Sequence, residues 1–282
     1  FGIVTKALVK LTPAPEAISV MLAAFGSMED AATAVTNIIA AGNLPASLEM
    51  MDQLAIEAVE PAYHAGYPMD AACVLLIEVD GHPLDVAETS EEVRGICEQA
   101  GATSFRQANE AAERDLLWKG RKMALAAMGR LAPNYYLHDT VVPRTRLTDT
   151  LAAVDQISRD YKLPIANVFH AGDGNLHPLM LFDRRKKGDV ERVLEASHHL
   201  IEECVHRGGT LSGEHGIGTE KRQFMTLVFT EEDLRAMAGL KHAFDPEERF
   251  NPGKVIPKGY MCGEVRDLHM KAMAQKHGIV PV

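Results

Sequence analysis

Two histidines stand seven positions apart in the segment NVFHAGDGNLHPLMLF, residues 167–182. Between them lies Asp173-Gly174, a dipeptide that is typical of tight hairpin turns when apolar runs flank it. If these two residues form the turn, His170 and His177 face each other on paired strands, with their Cβ atoms about 5 Å apart. Two imidazoles at that distance could bind one metal ion. The alternative is a hydrogen-bonded pair of histidines without a metal.

A second group of reactive side chains lies in the glycine-rich segment SGEHGIG, residues 212–218. Glu214 would complete a set of two imidazoles and one carboxylate, which is typical of catalytic zinc and of other divalent ions with open coordination positions. Neighbouring residues of an extended chain point in opposite directions, so His215 could act as a base beside the metal. Neither segment matches G-x-x-x-x-G-K-[ST] or G-x-G-x-x-G, so a nucleotide-binding loop is not indicated.

Three arginines are candidates for holding an organic acid, because guanidinium groups bind carboxylates through paired hydrogen bonds. Arg121 follows the single tryptophan by one helical turn, and Arg144 and Arg146 lie in VVPRTRL after a predicted strand. The alternative for each arginine is a salt bridge on the protein surface.

The composition excludes several classes of protein. The 282 residues suffice for one large or two modest domains, and 46% hydrophobic with 24% charged residues is ordinary for a globular protein. A net charge of −10 argues against binding to nucleic acid. No apolar run approaches the roughly 18 residues of a transmembrane segment. The four cysteines are scattered without a C-x-x-C pair, which indicates reduced thiols in a cytoplasmic protein.

Strand-like and helix-like segments alternate along most of the chain, and Ser27 is expected to cap the first helix. The pattern predicts an α+β fold: a duplicated ferredoxin-like antiparallel sheet with helices packed on one face, plus a C-terminal helical and irregular segment. The two halves would meet near residue 130. Strands are predicted over 18–25, 45–52, 71–81, 135–143 and the hairpin, and helices over 27–42, 52–62, 85–101, 106–129, 146–161 and 188–207.

Three longer motifs carry a resemblance to a known family. NVFHAGDGNLHPLMLFD, SGEHGIGTEKRQFM and FDPEERFNPGKVIP occur here in the order seen in FAD-linked oxidases of the vanillyl-alcohol oxidase superfamily. The chain resembles the branch that contains D-lactate dehydrogenase, D-2-hydroxyglutarate dehydrogenase and the D subunit of bacterial glycolate oxidase. The shorter segments LEMMD, HAGYP and AGAT resemble the glycolate oxidase protein in particular.

The resemblance implies a protein of two domains. Residues 1–11 would be the tail of an upstream FAD-binding domain, and residues 12–282 would be the C-terminal cap and substrate domain. The implied activity oxidises a 2-hydroxy acid to the 2-oxo acid and passes a hydride to FAD. Where the hydroxyglutarate branch has His-Leu-Asn, this chain has His177-Pro178-Leu179, which favours a small substrate such as glycolate or D-lactate.

The resemblance also implies roles for individual residues. The metal, zinc or manganese, would be bound by His170, His177 and Glu214, and His215 would be the base. Arg121 would hold the substrate carboxylate, with Arg144 and Arg146 as further candidates. The positions expected near the flavin are Asn251, Lys254 and Gly213.

The expected partners are an iron–sulfur subunit and a second flavin subunit of a glycolate oxidase complex. The chain would be cytoplasmic, or peripheral at the inner membrane through that complex. Two alternatives remain open at this point. One is a stand-alone metal-dependent hydrolase that uses the same two histidines and glutamate, and the other is a non-catalytic subunit of an oxidase complex.

Overall fold

The computed structural model describes residues 2–259, which fall into two units. The larger unit is Pro13–Glu214, and the smaller contains residues 2–12 and 215–259. Phe1 and residues 260–282 of the predicted C-terminal segment lie outside the described residues. Over residues 2–259, no helix combines the length and the hydrophobicity that crossing a membrane requires.

The larger unit contains all of the strands found in the described residues. They are β1 (Ala17–Phe25), β2 (Ser47–Asp52), β3 (Cys73–Gly81), β4 (Ala102–Ala108), β5 (Asn134–Leu137), β6 (Thr140–Val141), β7 (Ile165–His170), β8 (Asn175–Leu176) and β9 (Pro178–Phe182). Its helices are α1 (Met28–Ala40), α2 (Gln53–Tyr63), α3 (Pro83–Gln99), α4 (Ala111–Lys122), α5 (Ala124–Ala127), α6 (Leu147–Tyr161) and α7 (Asp189–His206).

The sheet consists of two similar halves. In the first, the elements β1-α1-β2-α2-β3-α3-β4 form antiparallel pairs in the spatial order β4-β1-β3-β2. In the second, β7 pairs with β8, β8 pairs with β6, and Thr210 forms a bridge with Val141 beyond β6. This repeats the ferredoxin-like order, so the predicted duplicated antiparallel sheet is confirmed.

The halves join where β2 pairs with β7, and we call this pairing the seam (residues 49–51 with residues 168–170). Glu49 lies opposite His170, Met50 opposite Phe169 and Met51 opposite Val168. The seam therefore places a carboxylate of the first half beside a candidate ligand of the second half.

Helices cover both faces of the sheet, whereas the sequence predicted helices on one face. In β1, Met21 and Phe25 belong to the core cluster that also contains residues of α1, α3, α6 and α7, while Val20 and Leu22 belong to the cluster with residues of α2, α4 and α5. The reason lies in the strand itself, because β1 is apolar on both of its faces, and such a strand needs cover on each side.

Four of the eight α-helices in the described residues begin at a residue whose side chain caps them. Ser27 caps α1 as predicted, with its Oγ accepting a hydrogen bond from the Asp30 amide at 3.1 Å. The predicted helix over 106–129 was wrong at its start, because Arg106 and its neighbours belong to β4, and the helix breaks at Met123.

The smaller unit contains one long helix, α8 (Glu231–Phe244), among its described residues. Thr230 and Asp233 form a capping box at its start, with the Asp233 carboxylate accepting from the Thr230 amide at 3.0 Å. The residues that follow, 245–259, are irregular, which agrees with the predicted helical and irregular C-terminal segment.

A buried aspartate links the first half to the second. Asp52 caps α2 by accepting from the Ala55 amide at 2.9 Å, and its other oxygen accepts from the backbone and side-chain nitrogens of Asn167 at 2.7 and 2.9 Å. Burial raises the pKa of Asp52 from its ordinary 3.8 to about 6, and the nearby charge of Glu57 acts in the same direction.

We predict that Asp52 makes stability fall as the pH rises. Because its pKa is higher in the folded state, its contribution is largest below about pH 4 and declines up to about pH 6.5. The free energy of unfolding of the wild type relative to Asp52→Asn should therefore drop by up to about 3 kcal/mol over that range. Urea unfolding of both proteins across the pH range measures this, and a difference that grows with pH would contradict it.

Candidate active site

The hairpin that carries the two histidines has a longer turn than predicted. Its turn consists of residues 171–174, so His170 pairs with Asn175 and the expected direct opposition of the histidines was wrong. His177 lies two positions beyond Asn175, so it is the diagonal neighbour of His170 and lies on the same face of the sheet. The two rings remain close, with centroids 5.3 Å apart, because a shift of two residues leaves a strand side chain on its original face.

Glu214 joins these histidines, as the sequence predicted. One nitrogen of each ring and one oxygen of the carboxylate lie within 4.8 Å of one another. The Glu214 Oε1 atom is 3.0 Å from Nε2 of His177 and 3.5 Å from Nε2 of His170. Both Nε2 atoms therefore face the same point in space.

The opposite ring nitrogens of both histidines are anchored. Nδ1 of His177 donates to the backbone carbonyl of His138 at 3.0 Å, and Nδ1 of His170 lies 2.8 Å from Oε1 of Glu49. A carbonyl and a carboxylate both accept, so each ring can donate from Nδ1, and Nε2 is then the nitrogen that faces Glu214. This pattern is typical of histidines that bind metals, and the donor set fits zinc or manganese.

Glu49 is a residue of the site that sequence reasoning missed. It is buried, and its Oε2 atom accepts from Nε and Nη2 of Arg121 at 3.0 and 2.7 Å. Burial alone would raise the pKa of Glu49, but the hydrogen bond to His170 and the charge of Arg121 outweigh burial and lower the pKa. The available signal was a carboxylate within the otherwise apolar part of the strand SLEMMD.

The two imidazoles differ in their proton affinity. The hydrogen bond to Glu49 raises the pKa of His170 above its ordinary value, against the effect of its partial burial. Burial lowers the pKa of His177, against its hydrogen bonds to His138 and Glu214. The anionic partner therefore makes His170 the more basic ligand.

A buried aspartate fixes the backbone that carries Glu214. Asp139 accepts from the amides of Gly213 and Glu214 at 3.0 and 3.2 Å, and from the hydroxyl of Ser212. Gly213 has no room for a side chain, because a Cβ atom there would lie 2.3 Å from Oδ1 of Asn175. The Glu214 side chain is about half exposed, so the ligand cluster is open to solvent on this side.

The three arginines occupy different environments. Arg121 is largely buried and bound to Glu49, as described above. Arg144 is exposed, donates to the Gly172 carbonyl at 3.1 Å, and lines a cavity of about 240 Å³ together with Glu49 and His170. Arg146 forms a surface ion pair with Asp149, which was the alternative for this residue.

The remaining candidate residues belong to the smaller unit. His215, Asn251 and Lys254 are exposed there. Asn251 has a left-handed backbone (φ 48°) and lines, with Lys254 and the aromatic rings of Phe244 and Phe250, a largely apolar cavity of about 540 Å³.

Comparison with protein families identifies the chain. The family described as FAD linked oxidases, C-terminal domain, matches residues 14–255. The chain belongs to this family. The resemblance seen in the sequence motifs is thereby confirmed.

Several curated proteins are similar to this FAD-linked oxidase domain over most of its length. Glycolate oxidase subunit GlcD of Escherichia coli K12 is 46% identical over 280 residues, which cover 99% of this chain and 55% of that protein. The subunit of the same name from Bacillus subtilis is 40% identical, covering 91% and 55%. D-lactate dehydrogenase of Archaeoglobus fulgidus is 30% identical, covering 91% and 56%. The chain thus spans about half the length of these relatives.

Solved structures share the fold of the FAD-linked oxidase domain at low identity. A substrate-bound p-cresol methylhydroxylase matches with a TM-score of 0.69 and 13% identity, over 87% of this chain and 54% of that one. A 4-ethylphenol oxidase from Gulosibacter chungangensis matches with a TM-score of 0.66 and 16% identity, over 88% and 55%. These likenesses support the antiparallel sheet with helices described above.

We predict that the two histidines of the metal-free domain titrate on opposite sides of the ordinary imidazole value, His170 above it and His177 below it. Glu49→Gln removes the anionic acceptor and should lower the pKa of His170. NMR titration of both rings measures this. Glu78→Gln is the matched control, since Glu78 is a strand glutamate whose carboxylate binds Trp118 instead. An unchanged His170 pKa in Glu49→Gln would contradict the assignment.

Proposed function

We propose that this chain is the substrate- and metal-binding part of a flavin-dependent 2-hydroxyacid oxidoreductase. A small acid such as glycolate or D-lactate would be oxidised to the 2-oxo acid. The observation that carries the proposal is the convergence of both imidazole Nε2 atoms on the Glu214 carboxylate while each Nδ1 is anchored. Family membership and the names of the relatives favour this function over a stand-alone hydrolase.

The proposed enzyme requires a flavin domain in addition to this chain. Residues 12–282 would form its C-terminal domain, and residues 1–11 the end of the upstream FAD-binding domain. FAD, when bound, would supply the acceptor for the substrate hydride. Asn251 and Lys254 would contact it, since they line an apolar, aromatic cavity with amide and ammonium donors at its edge. Gly213 is the third residue proposed near the flavin.

The metal would be held by His170, His177 and Glu214. Three protein ligands leave coordination positions open for the hydroxyl and carboxylate oxygens of a 2-hydroxy acid. A bound zinc or manganese ion would supply a Lewis acid that lowers the pKa of that hydroxyl group. The half-exposed side of Glu214 leaves room for the acid to approach.

His215, which follows Glu214 in the chain, would take the proton of the substrate hydroxyl. Arg144 would join Arg121 in holding the carboxylate, because Arg144 is exposed and lines the cavity beside His170. That cavity, at about 240 Å³, suits a small acid. Arg146 is engaged with Asp149 and would contribute less.

We also propose partner subunits. Two of the relatives are named as subunits of glycolate oxidase. By analogy, this chain would work with an iron–sulfur subunit and a second flavin subunit. It would be cytoplasmic, or bound at the inner membrane through that assembly.

The metal site is tested by metal analysis of the purified chain after exposure to zinc or manganese. We expect about one divalent ion per chain, lost in His170→Ala and in His177→Ala. His198→Ala is the control, because this histidine lies on the surface of α7 and pairs with Glu202. A wild type that binds no metal, or variants that keep it, would overturn the metal assignment.

The substrate assignment is tested by calorimetry on the metal-loaded chain. Arg144→Gln should weaken the binding of glycolate and D-lactate by about tenfold or more, the effect of losing a charged hydrogen bond. Arg146→Gln is a matched comparison two residues away and should lose much less affinity, because Arg146 is engaged with Asp149. Equal losses in both variants would indicate a general charge effect and contradict the role of Arg144.

A further inference from the structure

The carboxylate of Glu49 connects two cationic or protonated groups across the seam. Its Oε1 atom accepts from His170 Nδ1 at 2.8 Å and from the Ser47 hydroxyl at 2.9 Å. Its Oε2 atom accepts two hydrogen bonds from Arg121. The Glu49 side chain, which makes all of these contacts, is only 7% exposed.

A buried carboxylate is costly unless charges and hydrogen bonds compensate it, and here Arg121 supplies the charge. The ion pair with Arg121 alone would compensate the burial of this carboxylate. However, the second oxygen is directed at the Nδ1 atom of His170, on the side of the ring opposite the Nε2 atom that faces Glu214. Through this contact, the Glu49–Arg121 ion pair is connected to the candidate metal site.

The two histidines are anchored in different ways. His177 is held by the backbone carbonyl of His138, from its own half of the domain, and no side-chain substitution at that position removes the carbonyl. His170 is held by a side chain from the other half, through the direct Glu49–His170 pair of the seam. A single substitution in the first half can therefore remove the anchor of His170, but not that of His177.

We propose that Glu49 is a positioning residue that fixes the tautomer and ring plane of His170, and that Arg121 compensates the charge of Glu49. This inference rests on the proposed function, since it assigns a second layer of residues to the proposed metal site. Arg121 supplies the positive charge that this buried carboxylate needs. The guanidinium is only 13% exposed and directs two of its nitrogens to Glu49.

The first test reads the tautomer of His170 in the metal-free chain by NMR of the ring nitrogens, at about pH 9 where imidazoles are neutral. The wild type should carry the proton on Nδ1. Glu49→Gln should shift the population toward the Nε2–H form. The double variant Glu49→Leu/Arg121→Met should do the same without leaving a buried charge unpaired. An unchanged tautomer in both variants would overturn the proposal.

The second test compares metal affinity, and Glu78→Gln is again the control. Glu49→Gln and the double variant should weaken zinc binding by about 10- to 100-fold, as substitutions behind metal-binding histidines do. Wild-type affinity in both variants would make Glu49 purely structural, while the metal site itself would stand. If the wild type bound no zinc, the proposed function would fail, and the tautomer measurement would still decide the role of Glu49.

One further variant tests the role of Arg121 as the charged partner of Glu49. Arg121→Gln should weaken zinc binding, because it leaves the Glu49 carboxylate buried without its charged partner. Wild-type zinc affinity in Arg121→Gln would overturn this part of the proposal.

Discussion

Three backbone pairs between β2 and β7 join the two ferredoxin-like halves, and one of them sets Glu49 opposite His170. Much else in the larger unit follows from this pairing. It makes one continuous sheet, so that the cores on both faces extend across the halves. It also brings Glu49 to the hairpin of His170, more than a hundred residues further along the chain. Arg121 reaches the same place through its ion pair with Glu49.

The contacts at the seam direct Nε2 of each histidine toward Glu214. Glu49 is buried and carries a negative charge, and Arg121 and His170 compensate it on its two oxygens. At Nδ1, His177 is anchored by a backbone carbonyl and not by a charged group. Asp139 fixes the backbone at Glu214, whose side chain is half exposed. The cluster thus combines rigid support behind the ligands with open space in front of them, as a site for metal and substrate requires.

The fold and the site are specified by different parts of the sequence. Solved oxidases with 13–16% identity share the fold, so the sheet tolerates nearly complete replacement of side chains as long as the apolar pattern is kept. The candidate site instead depends on a few polar residues at fixed register positions. Similarity of fold alone would therefore not identify the chemistry, which has to be inferred from the site.

The sequence by itself determined the local features. Alternating and helical periodicities predicted the two α+β halves, Ser27 marked the start of α1, and the spacing of His170 and His177 placed both on one face of a hairpin. The two histidines share a face although the predicted turn length was wrong. The register shifted by two residues, which is the period of a strand. Only the tertiary structure decided which residues stand behind these histidines. Glu49 and Arg121 meet His170 through strand pairing between distant segments, and no local pattern encodes the register of such a pairing.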